Sequence, residues 1–130
     1  MADLSHIRAL SASAMAAQAT RLRLTTENLA NADTPGYRRK TVSFVLRSDG
    51  PAAPERVVAG PVRLDDRPLP RVHDPSHPMA DAEGYYDGSS VNAIIELADA
   101  REAQRSYEAN LRVFDQARQM NAAVLDLLRR

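Results

Sequence analysis

The chain has 130 residues, enough for one ordinary domain, and its 17 basic and 17 acidic residues give a formal net charge of zero. This balance argues against a nucleic-acid partner, because proteins that bind nucleic acid carry a basic surface. The absence of cysteine excludes disulfides and thiol nucleophiles. No segment approaches the ~20 apolar residues that span a bilayer, and residues 2–20 lack the pattern of a cleaved secretory signal. We therefore expect no direct membrane insertion and no signal-peptide cleavage.

Proline divides the chain into three parts. Seven of the eight prolines lie between Pro51 and Pro78, the eighth is Pro35, and residues 1–34 and 79–130 contain none. Because proline interrupts helices, the pattern predicts a mainly α fold. Long N- and C-terminal helices are expected to pair as a coiled coil, with a small β-ribbon and an extended Pro-rich segment between them. The expected parts are the N-terminal helix in residues 1–36, the ribbon and loop in residues 37–89 and the C-terminal helix in residues 90–130.

The first helix is predicted to begin near Asp3 or Ser5, either of which could cap it, and to continue to about Asn31. A Thr34-Pro35-Gly36 turn should follow, because proline has no N–H and disfavours the α region at the residue before it. Positions three and four residues apart form one predicted packing face; they are Ile7, Leu10, Ala14, Ala17, Arg21, Leu24 and Asn28.

Short strands are expected in the middle of the chain. Residues 41–46 are rich in β-branched side chains and partly alternating, and Val57-Val58 and the run 62–64 are similar. The prolines from Pro68 to Pro78 favour an extended connector over a folded sheet after that point.

The last helix is predicted to begin at Ser90 or Asn92 and to continue almost to Arg130. One face follows steps of three and four, which is the spacing of a coiled-coil seam; it contains Leu97, Ala100, Gln104, Tyr107, Leu111, Phe114, Arg118, Asn121, Leu125 and Leu128. Both predicted seams include polar residues, and each helix keeps further apolar residues outside its seam. This arrangement favours helices with several neighbours in an assembly over a simple helical hairpin in a small domain.

The sequence contains few candidate catalytic or metal-binding residues. His73 and His77 are four residues apart, but Pro75 and Pro78 exclude a helix that would bring them together, so we expect no metal site. The Asp65-Asp66 pair lies in a ribbon with no evident pocket, and neither a nucleophile elbow nor a glycine-rich phosphate loop is present. The sequence therefore predicts no enzyme and no cofactor.

Two asparagines invite a different interpretation. Asn28 and Asn31 share one helix face because they are three residues apart. A C-terminal cap explains Asn31, but an asparagine one turn earlier is unfavourable in a helix unless its amide is used. We expect these amides to set the register of helices at an interface, with Tyr107 and Asn110 in the same role on the other helix.

Several segments of the sequence resemble a known protein family. The run Asn28–Tyr37 resembles the N-terminal signature of the bacterial flagellar axial proteins, which are the rod, hook and hook-associated subunits, and the segment 9–18 resembles the start of the same family. Segments 38–44, 74–85, 91–92 and 106–111 narrow the resemblance to the short proximal-rod members of the flagellar basal-body rod family. The signature and interface positions are Asn28, Leu29, Asn31, Thr34, Pro35, Gly36, Tyr37, Ser106, Tyr107, Asn110 and Leu111.

The resemblance implies a structural subunit of the torque-transmitting rod in the periplasm. Such subunits pass through the flagellar type III export apparatus without a cleaved signal. The helices would form an inner coiled coil and the middle segment would face outward. Implied partners are copies of the chain itself, other rod proteins similar to FlgB and FlgF, and a FliE-like adaptor. The alternative is a free-standing helical adaptor or chaperone that binds partner helices.

Overall fold

A computed structural model describes residues 2–130, with side chains from residue 3. Two helices contain half of the chain: α1, Ala2–Ala30, and α2, Ala93–Leu128. Between them lie six short strands: β1, Lys40–Thr41; β2, Phe44–Arg47; β3, Arg56–Ala59; β4, Arg63–Leu64; β5, Arg71–His73; and β6, Tyr85–Asp87. The prediction of two long helices around a middle segment with β structure is confirmed.

The ends of the helices differ in detail from the prediction. α1 already includes Asp3 and Ser5, so neither residue caps it. At α2 the cap is Asn92, one of the two candidates, whose Oδ1 accepts a hydrogen bond from the Ile94 N–H at 3.0 Å. The other candidate, Ser90, accepts from the Arg39 N–H at 2.7 Å and so ties the ribbon to the start of α2.

The strands form three separate antiparallel pairs, β1 with β4, β2 with β3, and β5 with β6. The predicted strand at residues 41–46 is interrupted at Val42-Ser43, and its two halves pair with different partners. The expectation of an extended connector after Pro68 is wrong in part, because β5 and β6 form a hairpin there. Prolines do not prevent this pairing, since none lies within either strand.

α1 is the central element, because it packs against α2 and against β3. The helices are antiparallel: Asn28 lies beside Glu96, while the Arg8 guanidinium lies 5.5 Å from the centre of the Phe114 ring. On another side of α1, the Ser13 hydroxyl accepts a hydrogen bond from the Val57 N–H at 2.8 Å.

The predicted seam of α2 is wrong in most positions. Leu97, Tyr107, Leu111, Leu125 and Leu128 are all exposed. Three members of the predicted seam, Ala100, Phe114 and Asn121, are half-buried. Other buried or half-buried residues lie on a neighbouring face at seven-residue intervals, namely Glu96, Ala103, Asn110, Ala117 and Val124. Small side chains permit the two helices to approach closely, and α2 carries apolar residues on several faces, so periodicity alone did not identify the packed one.

The interior contains little apolar material. The buried hydrophobic residues among those described are Ala17, Leu24, Ala103 and Ala117, and as many polar or charged residues are buried: Ser11, Thr25, Asn28 and Glu96. Polar contacts must therefore contribute much of what holds this chain in shape.

Candidate functional site

The site begins at the turn that ends α1. Thr34, Pro35, Gly36 and Tyr37 form a β-turn in which the Tyr37 N–H donates to the Thr34 carbonyl at 3.2 Å. Pro35 occupies the position that favours its fixed φ, and Gly36 has φ +74°, a conformation that glycine adopts without strain. The Gly36 N–H also donates to the Asp87 carbonyl at 3.1 Å, which joins the turn to β6. The sequence correctly placed the end of the helix here.

Asn28 is buried just before this turn, and its amide makes four hydrogen bonds within the chain. Its Nδ2 donates to the Lys40 carbonyl at 2.8 Å and to the Glu96 carboxylate at 3.3 Å. Its Oδ1 accepts from the Lys40 N–H and from the Tyr37 hydroxyl, both at 2.9 Å. The amide thus pairs with both backbone groups of Lys40, as a neighbouring strand would, and fixes the returning chain against α1.

The Glu96 carboxylate is fully buried at the same point. It accepts hydrogen bonds from Asn28 and from the Arg39 Nε. The other arm of Arg39 donates to the Asp99 carboxylate at 2.7 Å, and Arg21 of α1 reaches the same carboxylate at 3.3 Å. The arrangement suits arginine because its planar fork can bind two carboxylates at once.

A second ion pair flanks these groups. The Lys40 ammonium contacts the Glu27 carboxylate, and this hydrogen bond lowers the pKa of Glu27 and raises the pKa of Lys40. Burial raises the pKa of the Tyr37 hydroxyl, and the nearby Glu27 charge adds to that increase, so the hydroxyl stays a hydrogen-bond donor. We call the whole cluster the polar joint; its members are Arg21, Glu27, Asn28, Tyr37, Arg39, Lys40, Glu96 and Asp99.

The other sequence-predicted positions lie elsewhere. Asn31 bonds locally, its Nδ2 donating to the Glu27 carbonyl at 2.8 Å and its Oδ1 accepting from the Thr34 hydroxyl at 3.1 Å. On α2, the Asn110 Nδ2 donates to the Ser106 carbonyl of its own helix at 2.8 Å. Tyr107 and Leu111 are exposed, and Leu29 is half-buried.

Within the chain, Asn28 does not meet Tyr107 or Asn110. Fourteen residues separate Glu96 from Asn110 on α2, which is roughly 21 Å at 1.5 Å per residue. The two predicted clusters are therefore distinct, and the interface role of Asn31, Tyr107 and Asn110 stays a prediction.

Sequence reasoning missed most charged members of the polar joint. Arg39, Glu96 and Asp99 were not singled out, although Glu96 and Asp99 are three residues apart and so share a face at the start of α2. Nothing local indicates that Glu96 is buried. Its partners are 57 and 68 residues away in the chain, so only the tertiary structure brings them together.

His73 and His77 take part in ring contacts. His77 stacks on Tyr86 with 3.9 Å between ring centres, and His73 lies 4.6 Å from the Tyr85 ring. Within residues 2–130, no group of three or more potential metal-ligating side chains comes together. Across the same residues, neither helix has the length and apolar content that crossing a bilayer requires.

Comparison with known proteins identifies the class. Residues 9–38 match the family described as flagella basal body rod protein, and residues 82–127 match the flagellar basal body rod FlgEFG protein C-terminal family. The flagellar basal-body rod protein FlgC of Agrobacterium fabrum is 43% identical, with 99% of this chain and 98% of that protein covered. The FlgC proteins of Escherichia coli O6:H1 and Bacillus subtilis are 34% and 32% identical to this chain. Each alignment spans at least 94% of this chain and at least 96% of the relative.

The chain therefore belongs to the flagellar basal-body rod protein family, whose members are structural rod subunits. The match at residues 9–38 includes both asparagines and the whole Thr34–Tyr37 turn. The match at residues 82–127 begins within the hairpin of β5 and β6 and includes most of α2.

We predict that Asn28→Ala destabilises the chain far more than Asn31→Ala. The first change leaves the buried Glu96 carboxylate and the half-buried Lys40 and Tyr37 groups short of a partner, and a buried polar group left unsatisfied costs about 1–3 kcal/mol. The second removes bonds to partly exposed groups that water can replace, so its cost should stay below about 1 kcal/mol. Urea unfolding of the two purified variants, followed by circular dichroism, measures both. Equal losses in the free energy of unfolding would contradict this account of the polar joint.

A second prediction concerns the stability of the chain at acidic pH. The Arg67 guanidinium donates hydrogen bonds to both carboxylate oxygens of Asp65, and the Arg67 backbone N–H donates to one of them. These hydrogen bonds lower the pKa of the Asp65 carboxyl to about 2. The pKa values of Glu27, Asp74 and Asp81 are lowered as well. Because the unfolded carboxyls bind protons first, the free energy of unfolding should fall as the pH drops below the ordinary values of 4.5 for Glu and 3.8 for Asp.

Arg67→Gln tests this at one residue. The Asp65 carboxyl, followed by NMR, should titrate near 2 in the parent chain and move toward its ordinary value of 3.8 in the variant. An unchanged titration would show that Arg67 is not the cause of the shift.

Proposed function

We propose that the chain is a subunit of the proximal rod that assembles with copies of itself and with other rod proteins into the driveshaft of the flagellar motor. One observation carries the proposal beyond family membership. The helix pair buries little apolar surface inside the chain, yet α2 leaves a stripe of large apolar side chains exposed, namely Leu97, Tyr107, Leu111, Leu125 and Leu128.

The energetics favour covering this stripe. Full burial of a leucine side chain contributes about 1.5–3 kcal/mol, so neighbouring helices would add more apolar burial than the three alanines and one leucine buried within the chain. A subunit built in this way gains much of its stability on joining an assembly, because binding that requires the folded form shifts the folding equilibrium.

The inner domain is proposed to be a coiled coil. A buried or half-buried residue recurs every seven positions from Glu96 to Val124, and a sustained seven-residue repeat favours a left-handed supercoil. We further propose that residues 1–36 and 90–130 form this inner domain and that residues 37–89 face outward. The polar joint would then fix the angle between the two parts.

Family membership supports a proposal for the setting and the partners. We propose that the chain is exported through the flagellar type III apparatus and works in the periplasmic part of the rod, beside FlgB- and FlgF-like subunits and a FliE-like adaptor. A catalytic role is not proposed, because the charged side chains of the polar joint are paired with one another and serve to connect the helices to the ribbon.

Deletion of the gene tests the function. We expect cells without flagella, and the parent gene on a plasmid should restore them. Flagella in the deletion strain would contradict the rod role and favour the free-standing adaptor, for which the family match gives no support.

Complementation with variants tests the predicted interface. Tyr107→Ala and Asn31→Ala should leave export intact and block completion of the rod, so that the variant chain is secreted and motility is lost. Tyr107→Phe keeps the ring and is the matched control that should swim. Since Asn31→Ala has little expected effect on stability, a loss of rods would point to a contact with another subunit. Normal motility in both alanine variants would refute the interface role.

A further inference from the structure

The loop between β5 and β6 is acidic and is braced by hydrogen bonds within itself. We call residues 74–84 the acidic loop; it contains Asp74, Asp81 and Glu83 and neither lysine nor arginine. The Asp81 Oδ1 accepts from the N–H groups of Glu83 and Tyr85, at 2.9 and 3.0 Å. The Asp74 Oδ1 accepts from the Ser76 N–H and hydroxyl, at 3.2 and 2.7 Å.

Glycine and aromatic contacts brace the loop further. Gly84 has φ +86°, and a side chain there would come within 2.8 Å of the Pro75 ring. His77 stacks on Tyr86, and its Nδ1 accepts from the Met79 N–H at 3.1 Å. This bracing holds Met79 in place with 64% of its surface exposed. A loop held in one conformation loses little entropy on binding, so the structure is suited to docking.

An apolar notch lies near the opposite end of the helix pair. It has a volume of about 440 Å³, and the one charged side chain in its lining is Arg112; the lining residues are Leu4, Ile7, Arg112, Val113, Gln116, Ala117 and Met120. Such a concave apolar site with a single placed charge is typical of a binding pocket. Methionine suits irregular apolar gaps because its side chain is flexible and polarisable.

We propose that this notch receives the acidic loop of a second copy of the chain, with Met79 entering the apolar space and the loop carboxylates facing Arg112. The proposal deepens the self-assembly given above and rests on it. Charge favours this occupant: Arg71 of β5 pairs with Asp81 at 2.7 Å, which leaves the Asp74 and Glu83 carboxylates of the loop to face the one guanidinium of the notch. Shape agrees, because an exposed methionine on a braced loop fits an open apolar recess.

One chain cannot make this contact with itself. Met79 lines a shallow pocket together with Gly36 and Asp87, and the Ser90 N–H donates to the Tyr37 carbonyl beside them, so this loop belongs to the end of the molecule where α2 begins. Val113 lies 20 residues beyond Ala93, roughly 30 Å farther along α2 at 1.5 Å per residue. The contact is therefore head-to-tail, and such contacts build open helical polymers when the rotation does not close a ring.

Because the chain contains no cysteine, a disulfide between two copies can form only through cysteines introduced for the test. Met79→Cys and Val113→Cys are placed in separate copies of the gene and expressed together in the deletion strain. A disulfide requires Cα atoms within about 7 Å, so mild copper oxidation of assembled rods should shift the chain to the size of a dimer on a non-reducing gel. Each single-cysteine chain expressed alone should give no dimer. Val45→Cys, whose parent side chain is 48% exposed like that of Val113, replaces Val113→Cys as the matched control.

A charge exchange provides an independent readout. Glu83→Arg and Arg112→Glu should each reduce motility, and the two together should restore it at least in part. Motile cells whose rods give no Met79–Val113 dimer, or a dimer no stronger than the Val45 control, would overturn the docking proposal while leaving the rod function intact. A cross-link to a different protein would also overturn it. Failure of the rod function itself would appear separately, as flagella in the deletion strain.

Discussion

The burial of the Glu96 carboxylate at the junction of α1, α2 and the returning chain is the constraint on which the rest of the structure depends. A buried charge is costly unless it is paired, and removing one partner of such a pair costs about 3–5 kcal/mol. Asn28 and Arg39 provide the partners, and they come from the end of α1 and from the ribbon. With so few apolar residues buried elsewhere, this contact specifies how the three parts of the chain meet.

The same constraint explains why polar and apolar contacts lie in different parts of the helix pair. Near the polar joint, side chains of α1, α2 and the ribbon bond one another, and their hydrogen-bonding groups are used within the chain. Farther along, the helices meet through small side chains such as Ala103 and Ala117, and large apolar residues of α2 face outward. The hydrogen-bonding groups of the polar joint are thus satisfied within the chain, while large apolar side chains along α2, from Leu97 to Leu128, present the surface that an assembly would cover.

Asn28 shows how far sequence reasoning reached and where it stopped. An asparagine inside a helix indicated correctly that its side-chain amide makes hydrogen bonds, because an asparagine without them is unfavourable in a helix. Its bonds within the chain go to Lys40, Tyr37 and Glu96, whereas the expected counterparts were Tyr107 and Asn110 of the other helix. The error in the α2 seam arose because several faces of that helix satisfy steps of three and four residues.

The sequence by itself determined the two helices, the turn at Pro35 and Gly36, the strands near residues 40–64 and the family, because these depend on local preferences and on a short recognisable motif. Only the tertiary structure decided which face of α2 packs on α1, that Glu96 is buried, and that residues 71–87 form a hairpin with a braced loop. These features depend on partners far apart in the chain, such as Asn28 with Glu96. Such contacts leave no local pattern, since they exist only when the segments meet in space.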